Sequence, residues 1–228
     1  MLNLIIAEAA LELIPSQIRG RASIRNDARR RCVDPGTMLL DRSLHHAAML
    51  KLDEHYKRGR PDLVHLTLLS ATSSPLYQDG QVKVYIHTRE DIVLELKERT
   101  RPPKSYARFR DLMEHILEER PESGLITVYT SSVRQLLKRI GQGPSFGLSI
   151  QGERQGLDQL ASELEQAKNP SVLVGGFPRG HFAPETVRSV DRLIRIDERS
   201  LDAHVVVARL IYEVEKRTAG AISVARTT

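Results

Sequence analysis

The stretch of sequence that decides the fold is Val172-Leu173-Val174-Gly175-Gly176-Phe177-Pro178-Arg179-Gly180-His181-Phe182. Its apolar start predicts a buried strand over residues 171–174, and a loop that contains three glycines follows directly. Because glycine lacks a side chain, the backbone of such a loop can approach a ligand closely at the carboxyl end of a sheet. An ordinary tight turn accounts for the same residues equally well.

The next strand-to-loop junction repeats this arrangement in Ile194-Arg195-Ile196-Asp197-Glu198-Arg199-Ser200-Leu201. A strand is expected over residues 193–196, and a final helix follows over about residues 201–216. Two such loops side by side can cradle a cofactor of the size of adenosine.

Strands and helices alternate around these two segments. We expect strands over 125–129 and 147–151, helices over 132–140 and 157–168, and a short helix that starts at Pro184. This alternation predicts a mostly parallel sheet with helices on both sides, which is an α/β fold.

The first half of the chain adds further elements to this sheet. Residues 2–9 and 63–69 are apolar runs that predict buried strands, and apolar residues at helical spacing predict a helix over about 39–56. Asp79-Gly80 predicts a hairpin insertion over residues 74–87, with a half-exposed second strand. Ser105 is expected to begin another helix. With no repeat and no low-complexity linker, we predict one domain over residues 1–228.

Composition excludes several classes of protein. The 228 residues can bury a sizeable core, and 40% apolar with 28% charged residues is ordinary for a globular protein. Cys32 is the single cysteine, which excludes a disulfide framework and a cysteine-rich zinc site and fits a reducing cytosol. No apolar run is long enough to cross a bilayer, so we expect a soluble cytoplasmic protein without a membrane partner.

Common catalytic motifs are also missing. The sequence has no Gly-x-Gly-x-x-Gly at a helix start, no P-loop and no Gly-x-Ser-x-Gly, so nucleotide-dependent and hydrolytic chemistries are disfavoured. The eight histidines show no metal-ligand spacing, and we expect no metal site. His65 is expected to be structural.

Positive charge is concentrated in two segments. Residues 19–31 hold six arginines against Asp27 alone, and residues 97–110 hold six cationic side chains against Glu98 alone, a net charge of +5 in each. Clustered cations of this kind favour a surface that binds phosphates, although flexible solvated loops are the alternative.

Two short motifs place cations at defined positions. In Arg60-Pro61-Asp62 the carboxylate is close enough to orient the guanidinium toward a base edge, or else to form only a surface ion pair. Lys104 and Arg108 are four residues apart at the start of the predicted helix, where free N–H groups favour phosphate.

Four motifs together resemble one known family. These are residues 4–13 (Leu-Ile-Ile-Ala-Glu-Ala-Ala-Leu-Glu-Leu), Arg60-Pro61-Asp62, Arg101-x-Pro103-Lys104-Ser105-Tyr106-x-Arg108-Phe109 and Val174-Gly175-Gly176-Phe177-Pro178. They occur in the order seen in the Nep/Emg family of ribosome-biogenesis proteins, in an archaeal form. The resemblance implies a SPOUT methyltransferase fold with a trefoil knot over about residues 170–217. It also implies a homodimer that uses S-adenosylmethionine to methylate N1 of a pseudouridine in small-subunit (16S) rRNA.

The resemblance also implies roles for individual residues. Arg60 and Asp62 are the expected catalytic pair, in which Asp62 holds Arg60 against the RNA. The expected RNA-binding residues are Arg60, Arg101, Lys104 and Arg108. The expected cofactor-binding residues are Gly175, Gly180, Ile196, Asp197, Glu198, Arg199, Ser200 and Leu201, with main-chain contacts favoured over residues 196–201.

Other functions remain open from the sequence. A non-catalytic rRNA-binding assembly factor of the same fold would use the two cationic segments equally well, but it has no need of a cofactor-sized cavity. A pseudouridine synthase is a weaker alternative, because no catalytic aspartate in a suitable motif can be nominated. Ribosomal proteins are further possible partners during assembly.

Overall fold

The computed structural model describes the backbone of residues 1–225 and the side chains of residues 1–218, and in this range seven strands form one sheet. The strands are β1 (Leu2–Ala9), β2 (Val82–Thr88), β3 (Ile92–Leu96), β4 (Ile126–Thr130), β5 (Ser145–Arg154), β6 (Ser171–Gly175) and β7 (Arg192–Arg195). The helices are α1 (Ala22–Arg31), α2 (Arg42–Met49), α3 (Pro61–Thr72), α4 (Pro75–Gln78), α5 (Tyr106–Glu119), α6 (Val133–Ile140), α7 (Leu157–Gln166), α8 (Pro184–Val187) and α9 (Ala203–Ala225).

The strand order across this sheet is β4-β3-β2-β1-β6-β5-β7. β1 pairs in parallel with β2 and β6, and β5 pairs in parallel with β6 and β7, while β3 and β4 are antiparallel at one edge. All eight residues of β1 are buried, because this central strand has neighbours on both sides and helices over both faces. The predicted α/β fold with a mostly parallel sheet is confirmed.

The hairpin predicted at residues 74–87 is wrong. Residues 75–78 form the short helix α4, which Ser74 caps by accepting a hydrogen bond from the Tyr77 N–H. Asp79-Gly80 ends this helix, and the antiparallel hairpin lies further along, between β2 and β3. The Asp79-Gly80 pair did not indicate a hairpin here, because a glycine with positive φ is found at the ends of helices as well as in hairpin turns. Gly80 has φ +73°.

The strand predicted over residues 63–69 is also wrong, because these residues belong to α3. Pro61 occupies the first turn of that helix, a position that proline favours. α3 packs against the sheet, α5 and α9, so most of its sides are apolar. The sequence of α3 therefore does not show apolar residues at the spacing expected for a helix. A continuous apolar run of this length does not distinguish a buried helix from a buried strand.

Two other expectations need correction. The helix predicted over 39–56 is shorter, because α2 starts after Asp41, which accepts a hydrogen bond from the Ser43 N–H, and ends at Met49. The strand over 82–88 is not half-exposed: Tyr85 and His87 are buried, since β2 lies inside the sheet.

The remaining predicted strands and helices are confirmed within a few residues of their expected bounds, except that α9, expected to end at about residue 216, continues to Ala225. β4, however, is antiparallel to its neighbour β3 rather than part of the parallel region. The single domain over 1–228 stays a prediction, and its residues 226–228 lie outside the described residues. Within the described chain, no helix is both long and apolar enough to cross a membrane.

A second small core lies beside the sheet, between α1 and α2. It is built from Ile14, Ile18, Ile24, Ala28, Met38, Leu40, Ala48, Met49 and Leu52.

His45 is fully buried in this second core: its Nδ1 accepts the Asp41 N–H at 3.1 Å, and its Nε2 lies 3.4 Å from the Asp27 carboxylate. Burial lowers the pKa of His45 even though Asp27 opposes this, so the ring stays neutral near pH 7. Burial lowers the pKa of His87 in the same way.

Acidification from pH 7.5 to 5 is expected to destabilise the fold. The unfolded chain protonates these two histidines near pH 6.5, whereas the folded chain resists protonation, so stability is lost as the pH falls below that value. Below pH 6.5 the free energy of unfolding should fall by up to about 1.4 kcal/mol per pH unit for each histidine. Urea unfolding at several pH values measures this slope. It should be about halved in His45→Gln, and an unchanged slope in that variant would contradict the assignment.

Candidate active site

A cavity opens at the carboxyl ends of β5, β6 and β7. It encloses about 850 Å³, including its mouth, which is open to solvent. This position is where ligands bind in open parallel sheets. Its walls are β5 residues 148–150, the 174–182 segment, the 196–203 segment, Val206 of α9 and Leu63 of α3.

The predicted cofactor residues converge on this cavity. Seven of the eight line it: Gly175, Gly180, Ile196, Asp197, Arg199, Ser200 and Leu201. Glu198 is the exception, because its carboxylate lies 3.2 Å from the Arg195 guanidinium and its side chain is exposed. Gly180 has φ +98°, a backbone conformation in which a side chain would be strained. The structure thus brings the two predicted loops together, while the role of each residue stays a prediction.

The carboxyl end of β1 holds one wall of the cavity. Glu8 has φ +51°, and the pairing of β1 with β2 shifts register between Ile6 and Ala9, so the strand is kinked there. On either side of the kink, the Gly176 N–H donates to the Ala7 carbonyl and the Ala10 N–H donates to the Gly176 carbonyl, both at 2.8 Å. The glycine loop is therefore fixed to β1 by its backbone.

The Glu8 side chain fixes the same loop at a second point. Its buried carboxylate accepts the Ala183 N–H at 2.6 Å and lies 3.3 Å from the ammonium of Lys57, which is also buried. That ammonium lies 5.0 Å from the ring centre of Phe177, which lines the cavity. A buried carboxylate needs hydrogen-bonding or charged partners. For Glu8 these partners are the N–H of Ala183 in the loop and the ammonium of Lys57.

In the opposite wall, Asp197 is already occupied by its neighbour. Arg199 donates to its carboxylate through Nε at 3.0 Å, through Nη2 at 3.1 Å and through the backbone N–H at 2.9 Å. These hydrogen bonds lower the pKa of Asp197 to about 2. Both side chains are therefore engaged with each other, and the main-chain contacts that the resemblance implies over residues 196–201 stay a prediction.

Arg60 and Asp62 form a two-pronged ion pair at the start of α3. Arg60 Nε donates to Asp62 Oδ1 at 2.8 Å and Nη2 donates to Oδ2 at 2.9 Å, with the two side chains 37% and 44% exposed. Although burial opposes it, hydrogen bonding from Arg60 keeps the pKa of Asp62 below its usual value. The guanidinium is thus fixed in orientation but still accessible.

This ion pair lies beside the cavity, although neither Arg60 nor Asp62 is among the residues that line it. Leu63, the residue after Asp62, lines the cavity, and so does Asp202. The pKa of Arg60 is raised mainly by its hydrogen bonds to Asp62 and further by the charge of Asp202. The Arg60 N–H donates to the Ala10 carbonyl at 3.1 Å, so the kinked end of β1 also positions the arginine.

Arg101, Lys104 and Arg108 are exposed beside α3. Their segment is attached to that helix by His65, which donates through Nε2 to the Pro103 carbonyl at 2.7 Å and stacks on Phe109 at 4.4 Å. His65 is structural, as predicted, but on a helix. Within the described side chains, none of the three cations has a carboxylate partner, so they are free to bind an anion.

Sequence reasoning missed several residues that line the cavity. Phe177, Pro178 and His181 were in the quoted loop but were not nominated, while Leu148, Ser149, Ile150 and Leu63 came from other elements. Strand β5 belongs to the same alternation of strands and helices, so the residues toward its carboxyl end could have been predicted to line the cavity. Leu63 could not be predicted to line the cavity, because residues 63–69 were predicted to form a strand. Among the described residues no cluster of three or more His, Cys, Asp or Glu could hold a metal ion.

Comparisons with known proteins agree along the chain. The family model "EMG1/NEP1 methyltransferase" matches residues 4–215. A protein called ribosomal RNA small subunit methyltransferase Nep1, from Thermococcus kodakarensis, is 41% identical over 185 residues, which are 80% of this chain and 84% of that protein. A protein of the same name from Staphylothermus marinus is 35% identical over 219 residues, 94% and 95% of the two chains.

The fold is also similar to that of a solved structure. The crystal structure of Archaeoglobus fulgidus Nep1 bound to S-adenosylhomocysteine matches with a TM-score of 0.85 and 34% sequence identity. The match covers 95% of this chain and 98% of that chain.

Gly176→Ala is expected to destabilise the protein by about 1–3 kcal/mol, because core overpacking has costs of this size. A Cβ at this position would lie 2.7 Å from Ala9 Cα and 2.8 Å from Ile6 Cγ2, so the loop would have to leave β1. Gly20→Ala is the matched control, since nothing lies within 4 Å of its Cβ position. Urea unfolding compares the two, and equal stabilities would contradict the close packing of the loop on β1.

Proposed function

This chain belongs to the EMG1/NEP1 methyltransferase family, and we propose that it transfers a methyl group from S-adenosylmethionine to N1 of a pseudouridine in small-subunit rRNA. The observation that carries the proposal is the fixed Arg60–Asp62 pair beside the cavity at the carboxyl ends of β5, β6 and β7. The SPOUT-type α/β fold agrees with the likeness to the Archaeoglobus protein, and the trefoil knot over about 170–217 stays a prediction.

The chemistry of the cavity lining suits an adenosyl cofactor. Apolar side chains of Leu148, Val174 and Leu201 suit the faces of a purine, and the two loops offer backbone groups to its polar edge. The cofactor named in the solved Archaeoglobus structure, S-adenosylhomocysteine, is the product of such a methyl transfer. When bound, S-adenosylmethionine supplies an electrophilic methyl group.

Arg60 is proposed to activate the target base. Pseudouridine N1 carries a proton that must leave before the nitrogen can bond to carbon, and the resulting negative charge is shared with the ring carbonyl oxygens at C2 and C4. A guanidinium held at that edge favours the anion, lowers the pKa of N1 and stabilises the transition state. Binding base and methyl donor side by side supplies further rate by proximity.

Asp62 is proposed as a positioning residue rather than as the base. Both of its oxygens accept hydrogen bonds from Arg60, and its pKa is lowered, so it has little affinity for a proton. The N1 proton then leaves to water at the open mouth of the cavity.

Arg101, Lys104 and Arg108 are proposed to hold the RNA around the target. Bringing the base out of its stack costs a few kcal/mol, which phosphate contacts from these cations can offset. A homodimer, ribosomal proteins as assembly partners and a cytoplasmic location remain part of the proposal. Exposed apolar side chains on α3 and α9, Leu66 and Tyr212, support a further protein contact.

The decisive experiment is to incubate the protein with small-subunit rRNA and isotope-labelled S-adenosylmethionine and to analyse the RNA by mass spectrometry. We expect one labelled methyl group on a pseudouridine. Calorimetry with S-adenosylmethionine should show binding at one site per chain. A non-catalytic assembly factor would bind the RNA but give neither the labelled nucleoside nor cofactor binding.

Arg60→Ala is expected to lower kcat for methyl transfer by about 10²–10³-fold, the usual effect of losing one donor that stabilises charge in the transition state. Arg60→Lys should recover only part of this, because lysine keeps the charge but not the fork that Asp62 orients. Arg188→Ala is the control, since Arg188 forms a similar ion pair with Glu185 on α8 and does not line the cavity. If Arg60→Ala weakened RNA binding while kcat stayed unchanged, the electrostatic role would be wrong.

A further inference from the structure

Helix α1 carries a row of arginines that the proposed site does not use. Arg25 and Arg29 are exposed and lie one turn, about 6 Å, apart on one face of α1, and Arg21, also exposed, is the residue that directly precedes the first turn. We call these three residues the α1 row. The apolar residues of the helix, Ile24 and Ala28, are buried in the second core, so the exposed face is polar.

The other two arginines of this helix are engaged in the fold. Arg30 lies 2.5 Å from the Asp27 carboxylate, and Arg31 binds Glu114 of α5 through two hydrogen bonds of 2.8 and 2.5 Å. By contrast, no residue of the α1 row has a carboxylate partner among the side chains of residues 1–218. Like charges four residues apart destabilise a helix, so folding alone does not explain the row.

The helix is held rigidly beneath this row. Asp27 lies against His45 of α2, and Arg31 attaches the last turn to α5. The backbone from which the α1 row projects is therefore fixed, so binding does not have to order the helix itself.

Helix α1 is connected to the segment that carries Arg101, Lys104 and Arg108 through contacts with α5. Arg31 Nη2 lies 3.6 Å from Asp111, which is one helical turn after Arg108 on α5. Asp41, at the start of α2, accepts a hydrogen bond of 2.6 Å from Tyr106 in the first turn of α5. Both cationic segments of the sequence are thus joined through α5.

We propose that Arg21, Arg25 and Arg29 form a second RNA-binding surface, which holds phosphates of the rRNA outside the loop that contains the target base. Guanidinium groups suit phosphate, and the row has no apolar side chains that would insert into a membrane. The inference rests on the proposed function, because the RNA is the substrate of the same site. The row adds affinity for a long substrate and takes no part in the chemistry.

The test compares a triple variant, Arg21→Gln, Arg25→Gln and Arg29→Gln, with a control that removes three charges elsewhere, Arg134→Gln, Lys138→Gln and Lys168→Gln. The three control residues are exposed, and Arg134 and Lys138 are also four residues apart, on α6. α6 packs on the face of the sheet opposite to α3 and α5. Two RNAs are used: a long small-subunit fragment and a short hairpin that contains only the target loop.

With the long RNA, the α1 variant should bind about 10-fold more weakly, and its slope of log K against log salt should be about 2 units shallower, since each lost phosphate contact removes about 0.7–0.9. With the hairpin, its affinity and kcat should equal those of the natural sequence, and the control variant should match the natural sequence on both RNAs. Thermal unfolding followed by circular dichroism should show that the α1 variant keeps its helix content, because the three substitutions remove repulsion between like charges.

An unchanged salt slope on the long RNA, or an equal loss on the hairpin, would overturn the inference. Failure of the proposed function has a different signature: the natural sequence would then methylate neither RNA, while the salt slopes would still report on the α1 row.

Discussion

The structure depends on the kink at the carboxyl end of β1. Left-handed backbone at a residue other than glycine costs roughly 1–2 kcal/mol, and Glu8 adopts it in the most buried strand of the sheet. The kink aims the Ala7 and Ala10 backbone groups at the glycine loop and at Arg60, so one turn of chain holds both halves of the candidate site. The hydrogen bonds of the buried Glu8 carboxylate to Ala183 and Lys57 offset the strain.

The part of the fold in which strands and helices alternate along the sequence was predictable. From β4 onward each strand and helix was expected within a few residues, apart from the end of α9. The two loops at the carboxyl ends of β6 and β7 meet at one cavity, as expected for two repeated strand-to-loop junctions. The errors have local causes. Residues 63–69 are buried on most sides, which hides the helical period, and Asp79-Gly80 suits two kinds of turn. The strained backbone of Glu8 left no signal, because it follows from packing around a non-glycine residue.

Arginines in this protein divide into two groups by their partners. Arg31 and Arg58 are largely buried and bind Glu114 and Glu12, so they hold elements together. Arg101 and Arg108, near the proposed RNA path, are exposed and lack such partners among the described side chains, whereas Arg60 is partly exposed and is paired with Asp62. Net charge alone, a mild +5, does not distinguish the two groups. The sequence identified the cationic segments, but only the arrangement of carboxylates around them shows which cations are available to a ligand.

The pairing of β1 with β6 has a consequence for biosynthesis. Asn3 lies beside Ser171, so β1 must wait for a partner strand that is made 168 residues later in the chain. Contacts so distant in sequence form slowly and late in folding. The wall of the cavity, the kink and the positioned arginine therefore come together only when most of the polypeptide has left the ribosome, and an unfinished chain has no assembled centre with which to engage RNA.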